Sequence, residues 1–272
     1  MFPSVEFLGR EVGTYGLMTM LGIFACLLVG SFLIKRFDID IFDFALTMLA
    51  VFGFLAVGAV VVYGISNIRL IIYGLSHIDK FGYSGLWNIL VYSFGGMVFY
   101  GGFIGGGIGL LVYTKFVKSM RPKRDGLLDI YAVLSPLFHV FGRIGCFLGG
   151  CCYGMESEFG FTVHNNQLNL SINDVNRFPI QLVESGCNLV IFLVLLYLFR
   201  KRKMEKRLIY IYMLIYPVVR FVTEMFRGDV YRGIFFGLST SQWISIFLFI
   251  FALIMLPIKT RQMRAKDTPS AE

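Results

Sequence analysis

The chain has 272 residues, 57% of them hydrophobic and 15% charged, with a mean hydropathy of +0.72. A soluble domain carries about 25% charged residues, so a water-soluble globule is excluded and an all-α integral membrane protein is expected. The net charge of +8 sits in short basic clusters between apolar runs, which is a topology signal, and nucleic acid is not an expected partner.

A helical span needs about 20 apolar residues. Seven stretches qualify in chain order: Thr14–Ile34, Phe44–Ile65, Val98–Val117, Leu127–Leu148, Ile180–Leu198, Leu208–Phe226 and Ser241–Ile258. Ahead of the first, Glu6 and Glu11 flank a lone Arg10, so no cleavable leader is expected. Asn67–Asn88 is mixed in character and is expected to lie at the interface, with Trp87 near the headgroups. Met155–Phe178 is polar and Asn-rich and is expected to form a small extracytoplasmic cap, residues 155–178. Residues 1–258 then make a single polytopic membrane domain, and 259–272 a polar cytoplasmic tail without fixed structure.

Basic residues set the expected orientation. Lys35 and Arg36 follow the first span, Lys118 to Arg124 the third, Arg200 to Arg207 the fifth, and Lys259 to Lys266 the seventh. By the positive-inside rule these connections are cytoplasmic, the N-terminus is outside and the C-terminus inside.

With that orientation, the unusual residues of the spans collect at one depth, on the outer side. Tyr15 opens the first span, and Tyr100 opens the third. His139, Arg143 and Cys146 close the fourth. Gln181 and Glu184 open the fifth, Tyr216, Arg220 and Glu224 close the sixth, and Gln242 opens the seventh. An intramembrane arginine costs at least ~2.5 kcal/mol at mid-helix and therefore faces a partner or a wet cavity. His139, Arg143 and Cys146 share one helix face, as do Tyr216, Arg220 and Glu224. Gly142, Gly145, Gly149 and Gly150 around Arg143 let a ligand approach bare backbone. Two guanidinium groups on different helices suit a phosphodiester clamp, with Glu224 orienting Arg220; a plain salt bridge between Arg220 and Glu224 is the structural alternative. In GGMVFYGGFIGGGIG, packing accounts for Gly105 to Gly109, whereas Tyr100-Gly101-Gly102 is read as part of a site.

There are five cysteines, two adjacent, which is no disulfide framework. His139, Cys146, Cys151 and Cys152 are possible metal ligands, but the neighbours Cys151 and Cys152 suit one tetrahedral ion poorly. No metal and no cofactor are expected. A reactive thiol beside Arg143 and simple packing remain alternatives, and Cys26 and Cys187 read as structural.

These motifs resemble those of the prolipoprotein diacylglyceryl transferase family. GRIGCFLGGCCYG is similar to its G-R-x-G-N-F-x-N-x-E-x-x-G loop, Thr14-Tyr15-Gly16 to its Y-G, and SFGGMVFYGGFIGG to G-G-x-x-x-H-G-G-x-I-G. RFPIQLVES resembles R-x-P-x-Q-L-Y-E, YPVVRFVTEMFRGD resembles Y-x-x-x-R-F-x-x-E-x-x-R, and LSTSQW resembles S-x-x-Q. The resemblance runs from Tyr15 to Gln242. It implies seven spans with an outward N-terminus, in a bacterial cytoplasmic (inner) membrane. It implies transfer of the diacylglyceryl group of phosphatidylglycerol to the lipobox cysteine thiol of a prolipoprotein signal peptide, releasing glycerol phosphate. Arg143, Arg220, His139 and Tyr100 would be catalytic; Tyr15, Gly142, Gly145, Cys146, Gln181, Glu184, Tyr216 and Glu224 would bind substrate. Three positions depart from the pattern: Tyr100 stands at its histidine, Cys146 at its asparagine and Cys151 at its acidic residue. Those departures keep two alternatives open. One is a paralogue that passes a lipid or glycerol-phosphate group to a glycan or another membrane acceptor. The other is a non-enzymatic membrane protein that binds anionic lipid.

Overall fold

A computed structural model describes residues 4–7, 10–96, 98–164, 166, 172–228 and 234–267. The helices are α1 (Thr14–Leu33), α2 (Ile41–Ser66), α3 (Ile68–Ser76), α4 (Ile78–Phe94), α5 (Phe99–Phe116), α6 (Arg124–Gly149), α7 (Ile180–Arg200), α8 (Leu208–Glu224) and α9 (Thr240–Asp267). Each of the seven expected stretches coincides with a helix. Five are long and apolar enough on their own to cross a membrane, and α4 with α5 adds a sixth if the bent pair is one span. The chain is thus a multi-pass, all-α membrane protein. At 17 residues, α8 is about 25 Å long and falls just short of that length test.

The strands are short antiparallel pairs: β1 (Ser4–Phe7) with β2 (Arg10–Gly13), β3 (Glu156–Thr162) with β4 (Asn176–Arg177), and β5 (Ile234–Phe235) with β6 (Leu238–Ser239). The β3–β4 pair lies in the polar stretch expected as a cap, part of which is outside the described residues. The interfacial stretch is helical, as α3 and the first part of α4, with a break at Gly82, where φ is +64° and glycine is the natural occupant. Trp87 is exposed on α4. In the expected tail, the helix runs on past Ile258 to Asp267; residues 268–272 lie outside the described residues.

The chain divides into two compact units, one drawn from Met1–Ile34 and Asp125–Glu272 and the other Lys35–Arg124. In the smaller unit α2 and α5 meet along a seam of glycine. A Cβ on Gly58 would lie 2.9 Å from the Gly105 Cα, and one on Gly101 would lie 2.7 Å from the Val62 Cβ. A Cβ on Gly102 would press on Leu55 at 3.2 Å. Gly101 and Gly102, read above as part of a site, therefore serve the seam. Close backbone approach through small residues replaces the missing hydrophobic drive between helices in lipid.

In the larger unit α1 packs on α6, with Gly22 against the Phe138 ring and the Cys26 thiol donating to the Leu134 carbonyl at 3.6 Å. The N-terminus of α8 has no cap from its own sequence. Asp129, fully buried on α6, takes that role: it accepts from the Leu208 N–H at 2.8 Å and from the Lys206 N–H. Lys259 of α9 pairs with Asp125 of α6 at 2.7 Å. These bonds tie α6, α8 and α9 together at one end.

Two outcomes test this packing. Gly105→Val places side-chain atoms on the Phe54 backbone and is expected to cost about 1–3 kcal/mol. Asp129→Ala strands two backbone N–H groups, at about 1–3 kcal/mol each. Thermal melting of detergent-purified protein should show both variants unfolding at lower temperature, and an unchanged melt for Asp129→Ala would refute its capping role.

Candidate active site

At the opposite end of α6 from Asp129, five charged side chains form one buried row. Arg143, near the C-terminus of α6, pairs with Glu184 Oε2, near the N-terminus of α7. The other oxygen of Glu184, Oε1, accepts from Arg220 Nη1 of α8 at 2.6 Å and from the Thr223 hydroxyl at 2.8 Å. Arg220 Nη2 pairs with Glu224 one turn on, and Arg227 Nη1 lies 3.7 Å from the same carboxylate. The order is Arg143, Glu184, Arg220, Glu224, Arg227, so signs alternate and positive charge exceeds negative by one. All five side chains are at most 9% exposed. Charges taken out of water this fully persist only when paired and hydrogen-bonded.

Other residues hold the row in place. The Arg143 Nε–H is aimed at His139 Nε2, 3.2 Å away on the preceding turn. Accepting that bond makes the imidazole neutral at Nε2. The His139 ring lies 5.3 Å from that of Tyr216, which stacks on Tyr212 at 5.4 Å. The Ser241 hydroxyl, at the start of α9, accepts from Arg220 Nη2 at 3.2 Å. The Ser185 hydroxyl donates to the Val140 carbonyl at 3.2 Å, locking α7 to α6. The two Nη groups of Arg143 make no hydrogen bond within the described residues. Those two groups carry four N–H donors of a buried guanidinium, and on the same helix Gly142 and Gly149 have nothing within 4 Å of where a Cβ would lie.

Several of the expected site residues lie in or beside this row, and each has definite neighbours. Glu184 is the common partner of both arginines, which spacing along single helices does not reveal. Gly145 is occupied by packing: a Cβ there would lie 3.2 Å from both Met18 Cβ and Tyr15 Cδ2. Tyr15 itself is partly exposed on α1. Gln181 donates to the Cys151 carbonyl at 2.9 Å and so holds the loop after α6. Gln242 is the far half of a capping box: its Oε1 accepts from the Ser239 N–H at 2.9 Å, and Ser239 Oγ accepts from the Gln242 N–H at 3.2 Å. Tyr100 is buried at the start of α5, in the smaller unit. Thr223, Ser241 and Arg227 were missed. Arg227 carried a signal, standing three residues after Glu224 at the end of the YPVVRFVTEMFR motif.

Beyond Gly149 the chain turns back on the helix. Gly150 is left-handed (φ +77°), and the Cys151 N–H reaches the Cys146 carbonyl at 3.1 Å, the long bond of a Schellman cap. Cys152 is also left-handed, at φ +54°. As a result the sulfurs of Cys146, Cys151 and Cys152 all lie within 4.8 Å of one another. Neighbouring cysteines thus reach a common point, contrary to what their adjacency suggested, and His139 is not part of the group. Hydrogen bonds from Cys146 and Cys151, assisted by Arg227 and Arg143 against the opposing effect of burial, hold the Cys152 thiol well below the usual thiol range. Alongside, the loop after α8 is fastened to this turn by the Gly228 N–H to Tyr153 carbonyl bond (3.0 Å) and the Met155 N–H to Phe226 carbonyl bond (2.9 Å).

The chain is thus a multi-pass membrane protein with a buried, net-positive arginine–glutamate row at one end of its helices. Residues 4–258 match the family model described as prolipoprotein diacylglyceryl transferase, and the chain belongs to that family. A phosphatidylglycerol–prolipoprotein diacylglyceryl transferase of Clostridium tetani is 31% identical, covering 93% of this chain and 95% of that protein. One from Clostridium perfringens, numbered 2, is 30% identical over 97% of this chain and 96% of its own length. A third, from Campylobacter hominis, is 30% identical over 97% and 94%.

Removing the shared carboxylate leaves two buried guanidinium groups without their common partner. Glu184→Ala is therefore expected to destabilise the fold by about 3–5 kcal/mol, whereas Thr223→Val, which removes one neutral donor, should cost about 1 kcal/mol. Melting of the two variants side by side would check the ranking; equal melts would mean that Glu184 does not anchor the row.

Proposed function

We propose that this protein transfers the diacylglyceryl group of phosphatidylglycerol to the lipobox cysteine thiol in the signal peptide of a prolipoprotein, with glycerol phosphate as the leaving group. The observation that carries this reading is the single excess positive charge of the buried row, together with the two Arg143 Nη groups, which make no hydrogen bond among the described residues. A phosphodiester carries one negative charge, and a planar guanidinium can meet two of its oxygens at once. The names of the relatives, with near-complete coverage, agree with it.

In this mechanism the acceptor sulfur attacks the glyceryl carbon, a C–S bond forms, and the C–O bond to phosphate breaks with its electron pair left on oxygen. Arg143, backed by Arg220 through Glu184, stabilises the charge that develops on the departing phosphate. The thiol proton goes to His139. His139 needs its Nε2 for this, and the arginine must release it when the phosphate binds. Tyr216 and Tyr15 position the headgroup or the peptide. One side of α8 carries Arg220 and Glu224, while Val218 and Phe221 on another side line an apolar groove with Phe249 and Ile250 of α9, a suitable channel for an acyl chain. The basic connections support an orientation with this end of the helices on the outer face of a bacterial cytoplasmic (inner) membrane.

The test is transfer of labelled diacylglyceryl from phosphatidylglycerol to a synthetic lipobox peptide by purified protein in detergent. Arg143→Ala should lower the rate by about 10²–10³ or more with the fold retained, and Arg143→Lys should recover only part of it. Undiminished transfer by a folded Arg143→Ala protein would reject the phosphate role. Full-rate transfer by His139→Gln would reject His139 as the base.

A further inference from the structure

The three thiols at the end of α6 have no part in the reaction as drawn. We propose that Cys146, Cys151 and Cys152 form a tris-thiolate site for a soft divalent cation of the zinc class, whose fourth place takes the incoming acceptor thiol. The cation site stands on its own geometry; only the identity of that thiol rests on the function proposed above.

Four observations support the site. First, around a tetrahedral zinc with bonds of about 2.3 Å the sulfurs lie about 3.8 Å apart. The three sulfurs are already within 4.8 Å of one another, so modest side-chain rotation closes the set. Second, the donor set is all sulfur, which selects zinc, cobalt or copper(I) over magnesium or calcium. Third, the turn is built at a cost. A glycine at position 152 would take φ +54° freely, yet a cysteine occupies that position, and strained non-glycine residues cluster at functional sites. The left-handed Gly150 and Cys152 are what aim two adjacent side chains at the sulfur on the last turn of the helix. Fourth, three thiolates and a divalent cation carry one net negative charge, which is favourable near a buried guanidinium. Arg143 sits three residues before Cys146 on the same helix.

The fourth place follows from what surrounds the sulfurs. Among the described residues only these three ligands converge, and three protein ligands with one open position is the pattern of a reactive zinc centre rather than a structural one. Cys151 is exposed and Gly149 faces open space, so another molecule can reach the ion. A thiol that bound there would release its proton more readily, to His139 as in the reaction above, and would remain a nucleophile as the thiolate. Its sulfur then forms the bond to the glyceryl carbon, and the C–O electron pair stays with the phosphate beside Arg143. The product thioether is neutral and a weaker ligand, so it leaves.

The experiment uses the full-length protein in detergent, reduced, stripped with chelator and titrated with Co²⁺ alone. One equivalent should bind, with sulfur-to-cobalt charge-transfer absorption and the visible bands of a four-coordinate site. Cys151→Ser/Cys152→Ser should lose that absorption and bind at least tenfold more weakly, while its cobalt-free melt stays near that of the wild type. A synthetic peptide with a single cysteine should then shift the visible bands, and its serine counterpart should not. Absence of the charge-transfer band, or equal binding by the double variant, overturns the cation site. A band unmoved by the cysteine peptide overturns the fourth place. Full-rate transfer by chelator-stripped protein overturns thiol activation yet leaves the proposed reaction intact. Cobalt and thiol binding without any transfer supports the site and places the failure in the reaction.

Discussion

Everything at the working end of the larger unit depends on how a guanidinium survives out of water. Arg143 is 6% exposed in a helix of an otherwise apolar bundle, and its solvation is replaced by Glu184 and by an imidazole nitrogen. Because Glu184 serves Arg220 as well, a single carboxylate joins three helices. The neutral donors around it, Thr223 to Glu184 and Ser185 to the backbone of α6, fix its angle. Nothing in the row can move far without stranding a neighbour, which is how a buried polar network specifies one arrangement.

Much of this was legible from the residues. Apolar run length located α1, α2 and α5 to α9, since a span must satisfy its own backbone hydrogen bonds. Arg143 and Arg220 stood out because a charge inside an apolar run needs a reason. What pairs with them was less legible. The i, i+4 spacing found Glu224 for Arg220 but cannot find Glu184, which comes from another helix. Gln242 sat at the right depth and in a capping-box spacing, Ser239-Thr240-Ser241-Gln242, and the local reading prevails: its amide caps α9. The cysteine group was hidden for a backbone reason. Adjacent side chains normally diverge, and only the left-handed φ of Cys152 brings its sulfur round.

The same comparison explains the two roles of glycine here. Around Arg143, Gly142 and Gly149 leave space unfilled; between α2 and α5, Gly58, Gly101 and Gly105 leave none. Composition cannot separate these cases, because each uses the missing Cβ. Geometry separates them: a glycine that meets the backbone of another helix is packing, and one that meets nothing is access.

The seam between α2 and α5 has a consequence for the lipid itself. Where glycine meets backbone across the seam, as Gly58 meets Gly105, no side chain stands between the helices to swing aside. Acyl tails press on every other helix surface and can wedge between flexible residues, but here they find no crevice to enter. The Val98 N–H donates to the Ala59 carbonyl across the seam at 3.1 Å, so the two helices share even a backbone hydrogen bond. To the surrounding bilayer the pair behaves as one thick rod, and bilayer fluidity has little hold on its alignment.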